Sequence, residues 1–429
     1  MELNANTRAL LEAVDRANAS GQVAETERLL VEARRVDPDH PLVLSATAMA
    51  LLSRGDAKQA REQLERALQI ETKTPGLWLN LAFVCRSLGD VACEIEALDK
   101  ALAIEPRSFL ALLHKATTLE RVGKPKQAAN VFQAFLACAP QQGISAPLQA
   151  AINHARKMVQ ENNRSLERFL QSRLTEQLTA QTPKQRDRFI DCIDVMLGKQ
   201  RVYTQQPTFM HFPRLPAIQF YDRDDFPWLD AVEAAADDIR NELLAVLAET
   251  KQDFVPYVSH PADAPLNQWQ ELNNSRRWGA FHLWREGEAM TENLTRCPKT
   301  AAMLANAPQP VMQGHAPNAF FSLLDRETHI PPHTGVTNTR LVVHLPLVVP
   351  PRCGFRVGSV VRDWQAGKAW VFDDTIEHEA WNKSAEPRAI LIFDIWNPHL
   401  TEEERALVST ATEAIGEFYQ GEAPYSAGL

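Results

Sequence analysis

AFFSLL at residues 319–324, RLVVHLPLVV at 340–349, FRVGSVV at 355–361, AWVF at 369–372 and AILIFDIW at 389–396 decide the fold of the C-terminal half of this chain. These runs are four to ten residues long, rich in β-branched and aromatic residues, and broken by turn formers. They lack helical spacing, so they predict the strands of an antiparallel barrel or sandwich. The polar residues among them are selective: His329, His333, Arg340, His344, His378 and Arg388 gather in one domain. Imidazoles are metal ligands and guanidinium groups hold anions, so the sequence places its chemistry here.

Upstream, the chain is aromatic and proline-rich from about Tyr203, as in QPTFMHFPRLPAIQFYDRDDFPWL at 206–229, and residues 230–249 read as one amphipathic helix. Before that the character is helical and periodic. Gly21, Gly55, Gly89 and Gly123 stand 34 residues apart. Pro38, Pro106 and Pro140 share the period, with Thr72 in the missing slot, and so do Ala33, Ala67 and Ala101, with Phe135 in the last. A glycine closing the first helix of each pair can take the left-handed conformation that a tight turn needs. The alanines mark close helix crossings, and Leu64, Leu68, Leu98 and Leu102 carry the spacing of a buried stripe. This is the pattern of tetratricopeptide repeats (TPRs), whose stacked helix pairs leave a concave face suited to a peptide or protein, and which also serve as rigid arms or dimer contacts.

Four segments follow: a TPR domain over residues 1–142, a helical extension over 143–200, a strand-rich domain over 201–402, and a C-terminal helix and tail over 403–429. A chain of 429 residues exceeds what one hydrophobic core serves. The net charge of -9 and pI of about 5.8 leave no electrostatic footprint for nucleic acid or anionic lipid. No uncharged apolar run reaches the length of a membrane span, about eighteen residues. The N-terminal MELNANTRALLEAVDRANASG lacks a basic segment followed by an apolar core, so no secretory signal and a cytoplasmic location are expected. The six cysteines are scattered without a CxxC pair, which predicts reduced thiols.

HIPPHTGVTNTRLVVHLPLVVPPRCGFRVG at 329–358, WQAGKAWVFDDTIEHEAWN at 364–382 and RAILIFDIWNP at 388–398 resemble the aspartyl/asparaginyl β-hydroxylase family. RRWGAFHLWREGE at 276–288 and NLTRCPKTAAML at 293–304 extend the resemblance, which runs from about Tyr203 to Leu400. The family's animal enzyme also carries TPRs ahead of its oxygenase domain. The resemblance implies a multidomain α + β protein: a helical TPR solenoid, then a double-stranded β-helix (jelly-roll, cupin-like) oxygenase domain with flanking helices. It implies Fe(II) as metal, with 2-oxoglutarate and O2 as co-substrates.

A non-haem Fe(II) oxygenase needs two imidazoles and normally one carboxylate on one face of the metal. By the resemblance, His333 and His378, 45 residues apart, are the catalytic metal ligands. His333 heads HTG, with Gly335 where the commoner HxD pattern has aspartate, a departure the family shares. The resemblance further implies that Arg388, Ser322 and His344 bind 2-oxoglutarate. The family arginine two residues before that last histidine is replaced by Val342, which leaves two readings open: Arg340, on the same strand face by the period of two, substitutes, with Arg356 another candidate donor, or the pocket holds its co-substrate differently. Asp373 and Asp374 read as turn residues, and Trp381, Trp396 and Phe372 as core. Trp278 and Trp284 divide evenly between cleft and barrel wall, and His315, His329 and His399 receive no role.

The implied reaction is hydroxylation of an unactivated C–H bond, the β-carbon of Asp or Asn in a peptide or protein, with the TPR concave face available for that partner. Two alternatives stay open: the same chemistry on a small molecule, lipopeptide or lipid, and a non-catalytic TPR adaptor with a vestigial oxygenase domain.

Overall fold

The computed structural model describes residues 4–140, 142–249, 251–261, 267–312 and 314–419; the tail expected beyond them lies outside the described residues. The chain divides into two compact units, residues 1–188 and 189–429. The first opens with helix pairs α1 (Ala5–Ala19) and α2 (Val23–Val36), α3 (Pro41–Ser53) and α4 (Ala57–Ile70), α5 (Pro75–Ser87) and α6 (Val91–Ile104), and α7 (Phe109–Arg121) and α8 (Pro125–Cys138). The turn within each pair holds its glycine at positive φ, +69° at Gly21, +90° at Gly55, +73° at Gly89 and +75° at Gly123. Ala33, Ala67, Ala101 and Phe135 are all buried at the helix crossings. Pro38 and Pro106 lie in the loops leading into the next pair, while Pro41 and Pro75 take the first helical position, where a missing N–H costs nothing.

The long helix α9 (Ala146–Thr179) buries Ile152 and Ala155 in the cluster that holds Phe132 and Phe135, and α10 (Pro183–Met196) follows it. The expectation of uniformly reduced thiols is corrected at one place: Cys85 and Cys93 are joined by a disulfide across the α5–α6 turn, with their Cα atoms 5.8 Å apart. Folding back at Gly89 brings the two residues within disulfide reach. Cys138, Cys192, Cys297 and Cys353 are free.

The second unit begins with α11 (Leu229–Ala234) and α12 (Ala236–Glu249), two helices where one was expected, separated at Ala235. Then come β1 (Val255–Pro256), β2 (Trp278–Arg285), β3 (Glu288–Ala289), α13 (Thr291–Arg296) and α14 (Pro298–Leu304). The remaining strands are β4 (Ala319–Leu324), β5 (Thr328–His333), β6 (Arg340–Val348), β7 (Cys353–Val357), β8 (Val360–Asp363), β9 (Trp370–Phe372), β10 (His378–Asn382) and β11 (Arg388–Trp396), followed by α15 (Glu402–Phe418).

Two antiparallel sheets result, one in the order β1-β2-β4-β11-β6-β9 with β3 beside β2, the other β5-β10-β7-β8. The period of two sorts the larger sheet into faces. Leu341, Val343, Leu345 and Leu347 of β6, with Ala389, Leu391, Phe393 and Ile395 of β11, pack with Val232, Ile239 and Leu243 of the helices. The alternate residues Leu324, Val342 and Ile390 share a second core with Ile330, Phe355 and Ala380 of the smaller sheet. Ser322, His344 and Arg388 follow that second parity and therefore point between the sheets. Among the described residues no helix is long and apolar enough to cross a membrane.

Candidate active site

His333 ends β5 and His378 begins β10, and these antiparallel strands place the two residues directly opposite each other. Their rings lie 4.0 Å apart, centroid to centroid. His333 Nδ1 is 2.8 Å from the Pro331 carbonyl and His378 Nδ1 is 3.0 Å from that of Ile376. A carbonyl only accepts, so each Nδ1 carries the proton and each Nε2 keeps its lone pair, the form in which histidine binds a metal. Burial lowers the His333 pKa to about 4, and burial together with the His333 ring holds His378 well below its ordinary value. Trp269 braces His333 edge-on at 4.9 Å. Among the described residues, no cluster of three or more His, Cys, Asp or Glu could hold a metal, so the protein donors here stop at two imidazoles.

Gly335 explains why no aspartate stands in the HxD slot. A Cβ built there would lie 2.1 Å from Asp374 Oδ2, and the Gly335 N–H donates to the Asp374 carbonyl at 2.7 Å. The carboxyl of Asp374 thus fills the space that a side chain at 335 would need. The turn role expected for both aspartates holds for Asp373, whose Oδ1 accepts from the Thr375 N–H at 3.0 Å. Asp374 lies in the same turn, closed by the Ile376 N–H donating to the Asp373 carbonyl at 3.2 Å, and it also lines the cavity, with Oδ1 unpartnered and its pKa raised by burial to about 7. Nothing in a DD pair tells the two apart by sequence, because which carboxyl faces the cavity is set by the turn after β9.

A cavity of about 740 Å³ contains both histidines together with Ser322, Arg340, His344 and Arg388. Arg388 is 1% exposed, its Nε and Nη1 have no partner, and its guanidinium carbon lies 5.1 Å from the Trp364 ring centre. Burial lowers its pKa to about 10. Ser322 pairs with Ile390 across β4–β11 and accepts a hydrogen bond from Trp278 Nε1 at 3.1 Å, leaving its own O–H free to donate. His344 pairs with Ile392 across β6–β11; burial and the nearby Arg388 keep its ring neutral, and its Nδ1 has no partner. Trp278 therefore belongs to the cavity wall, whereas Trp284 packs against the helix-side core.

The two other arginines differ. Arg340 reaches the cavity from the expected strand face, yet its guanidinium is already matched by Asp394, which also accepts from the Asn318 N–H at 2.9 Å. Arg356, the further donor, is taken up by Glu379 and by Glu377 at 2.9 Å. Neither offers the unneutralised charge that Arg388 does. His315, given no role from sequence, lines the cavity stacked on Phe209 at 5.2 Å, and His282 joins the wall with its pKa lowered to about 4 by burial. The donor set fits a metal ion beside a dianion: two neutral imidazoles with free lone pairs, next to a buried cation lacking a counter-charge.

The family model described as aspartyl/asparaginyl beta-hydroxylase matches residues 233–398, and a tetratricopeptide-repeat model matches residues 17–82. Human "Aspartyl/asparaginyl beta-hydroxylase" is 34% identical over 168 residues, 39% of this chain and 21% of the human one. "Ornithine lipid ester-linked acyl 2-hydroxylase" of Rhizobium tropici is 33% identical over 192 residues, 44% of this chain and 64% of that one. Human "Aspartate beta-hydroxylase domain-containing protein 2" is 28% identical over 206 residues, 47% of this chain and 53% of its own. The chain thus spans about a fifth of the first of these relatives. Among solved structures, the MamA protein aligns over 41% of this chain and 96% of its own at a TM-score of 0.31 and 14% identity, too distant to bear on the reading. Residues 233–398 form a domain of the aspartyl/asparaginyl β-hydroxylase family, preceded in this chain by tetratricopeptide repeats, and the relatives of that domain are hydroxylases.

Proposed function

We propose that the strand-rich domain is an Fe(II)- and 2-oxoglutarate-dependent dioxygenase of double-stranded β-helix fold that hydroxylates an unactivated C–H bond. The observation that carries this is Arg388, a buried guanidinium without a carboxylate partner in the same cavity as two facing, neutral histidines. An uncompensated buried cation is costly, and a dicarboxylate co-substrate offsets that cost. His333 and His378 would hold Fe(II) through Nε2. Arg388 and the Ser322 hydroxyl would hold the far carboxylate of 2-oxoglutarate, with His344 beside the other. The bound iron would supply the oxidation, with O2 as oxidant and 2-oxoglutarate as the accompanying reductant. The chain's own part is to orient the imidazoles through the Pro331 and Ile376 carbonyls and to wall the site from water with Trp278, Phe355 and Trp364.

The substrate on this reading is an Asp or Asn residue of a peptide or protein, oxidised at the β-carbon. The names of the human relatives and the protein-binding habit of TPRs support it. The name of the rhizobial relative supports a second reading, the same chemistry on an acyl chain. Turnover with Fe(II), 2-oxoglutarate and Asp- or Asn-containing peptides tests the proposal. Succinate released in step with peptide gaining one oxygen is expected; oxygen appearing only in acyl-chain substrates would transfer the assignment to the second reading.

A further inference from the structure

The family match begins at residue 233, yet a segment well ahead of it is built into the site. Residues 205–212 run beside the loop that follows His333: the Thr208 N–H donates to the Gly335 carbonyl at 3.1 Å and the Phe209 N–H to that of Val336 at 3.0 Å. The Gln206 N–H donates instead to the Thr375 carbonyl at 2.7 Å, in the turn that leads to His378. One segment thus touches the chain on the far side of both histidines.

That far side matters because His333 is the last residue of β5 and His378 the first of β10, and their pairing is the end rung of the ladder, with a register shift between His378 and Ala380. Beyond that rung the two strands no longer pair. How the rings stay opposite each other then depends on how the loop over 334–339 is tied to the turn over 373–377. Gln205 makes that tie with a single carboxamide. Its Nε2 donates to Asp373 Oδ2 at 2.5 Å, with the Pro216 carbonyl also in reach at 3.4 Å, and its Oε1 accepts from Asn338 Nδ2 at 3.0 Å.

Both partners are 0% exposed, and neither can be turned round. Asn338 Oδ1 accepts from the Phe212 N–H at 2.7 Å, so its nitrogen must face Gln205. Asp373 Oδ1 is occupied by the Thr375 N–H at 3.0 Å and hydroxyl at 2.5 Å, which leaves Oδ2 as the acceptor for Gln205. The group between them must donate at one end and accept at the other, as a carboxamide does and a carboxylate or an ammonium does not.

We propose that Gln205 is a positioning residue of the two-histidine site, its carboxamide tying the loop after His333 to the turn before His378 so that the two imidazoles stay opposite each other. The metal that those imidazoles would hold rests on the proposed function; the tie does not.

The test uses the full chain with two readouts: Mn(II) affinity by electron paramagnetic resonance, and NMR of the metal-free protein carrying 13C at histidine Cε1, with the signals of His333 and His378 identified by their loss in the His→Ala variants. Gln205→Met keeps the side-chain length and loses both hydrogen bonds. Gln205→Glu keeps the bond to Asn338 but sets a carboxylate against Asp373. Each should weaken Mn(II) about tenfold or more, the scale typical of losing a group that orients a metal ligand, and should shift or broaden both imidazole signals. Adding Asp373→Asn to Gln205→Glu reverses donor and acceptor and should restore both readouts, which a general loss of stability would not allow. Gln206→Ala, at a residue whose contact is made by its backbone, should match wild type. Unmoved imidazole signals in folded Gln205→Met, or a double variant no better than Gln205→Glu, overturn the inference, as does undiminished Mn(II) affinity in folded Gln205→Met when wild type binds the ion. If Gln205→Met does not fold, Gln205→Glu and its rescue decide. Imidazole signals that follow Gln205 in a chain that binds no Mn(II) would sink the metal reading and leave this one standing.

Discussion

Arg388 and Arg340 lie on neighbouring strands and line one cavity, yet only Arg388 lacks a carboxylate partner. Sequence alone could not separate them, because Asp394 stands 54 residues beyond Arg340 and only the β6–β11 ladder brings them together. The difference yields a prediction. Arg388→Ala should raise the 2-oxoglutarate dissociation constant at least about tenfold, since losing one member of a desolvated charge pair costs about 2–5 kcal/mol. Fe(II) affinity without co-substrate should stay unchanged, and Arg388→Lys should also weaken 2-oxoglutarate because an ammonium lacks the planar fork. Titrations of Fe(II) alone and then of 2-oxoglutarate check this; equal co-substrate affinity in wild type and variant would count against the anion site. Asp374 gives a pH-dependent prediction. Burial raises its pKa from 3.8 to about 7. Between those values the folded chain holds a proton that the unfolded chain has released, so this contribution is complete below the lower value and is lost as pH rises through about 7. Asn keeps the neutral form at all pH, so Asp374→Asn should gain stability relative to wild type between about pH 5 and about pH 8. Denaturant unfolding of the metal-free protein at the two pH values reads it, and a difference that does not grow with pH would contradict the buried carboxyl.

At the scale of elements, the TPR helices were legible because one helix pair repeats one set of geometric demands every 34 residues. β6 and β11 were legible as apolar runs, since each strand buries both a helix-facing and a sheet-facing side. The strand that carries His333 was not. THIPPH contains two prolines, which cannot donate to a ladder, and it forms strand only because β5 is the edge of the smaller sheet. β10, HEAWN, is also too short and polar to stand out, so the His333–His378 pair was accessible through resemblance and not through strand pattern. The disulfide was hidden in the same way, since a separation of eight residues reveals a contact only once the α5–α6 turn is known. Packing within the repeats makes its own prediction. Ala67 is 0% exposed at the α4 crossing, so Ala67→Phe should overpack it and destabilise the helical unit by about 1–3 kcal/mol. Thermal unfolding should show the loss while 2-oxoglutarate affinity is unchanged; a parallel fall in that affinity would contradict the separation of roles.

At the scale of the whole molecule, the residues assigned to metal and co-substrate all lie between Ser322 and Arg388, inside the unit that begins at Phe189. A fragment starting at Gln200 should therefore still bind Fe(II) and 2-oxoglutarate, and a folded fragment that binds neither would show that the repeats are needed for the site. The central claim is that two histidines hold iron and that the iron, with Arg388, holds 2-oxoglutarate. It is tested most directly by anaerobic titration of 2-oxoglutarate into the full chain with and without Fe(II), beside His333→Ala. The account predicts one-to-one binding that requires Fe(II) and disappears in His333→Ala while the fold is retained. Binding of equal strength without metal, or in the folded His333→Ala variant, would contradict it.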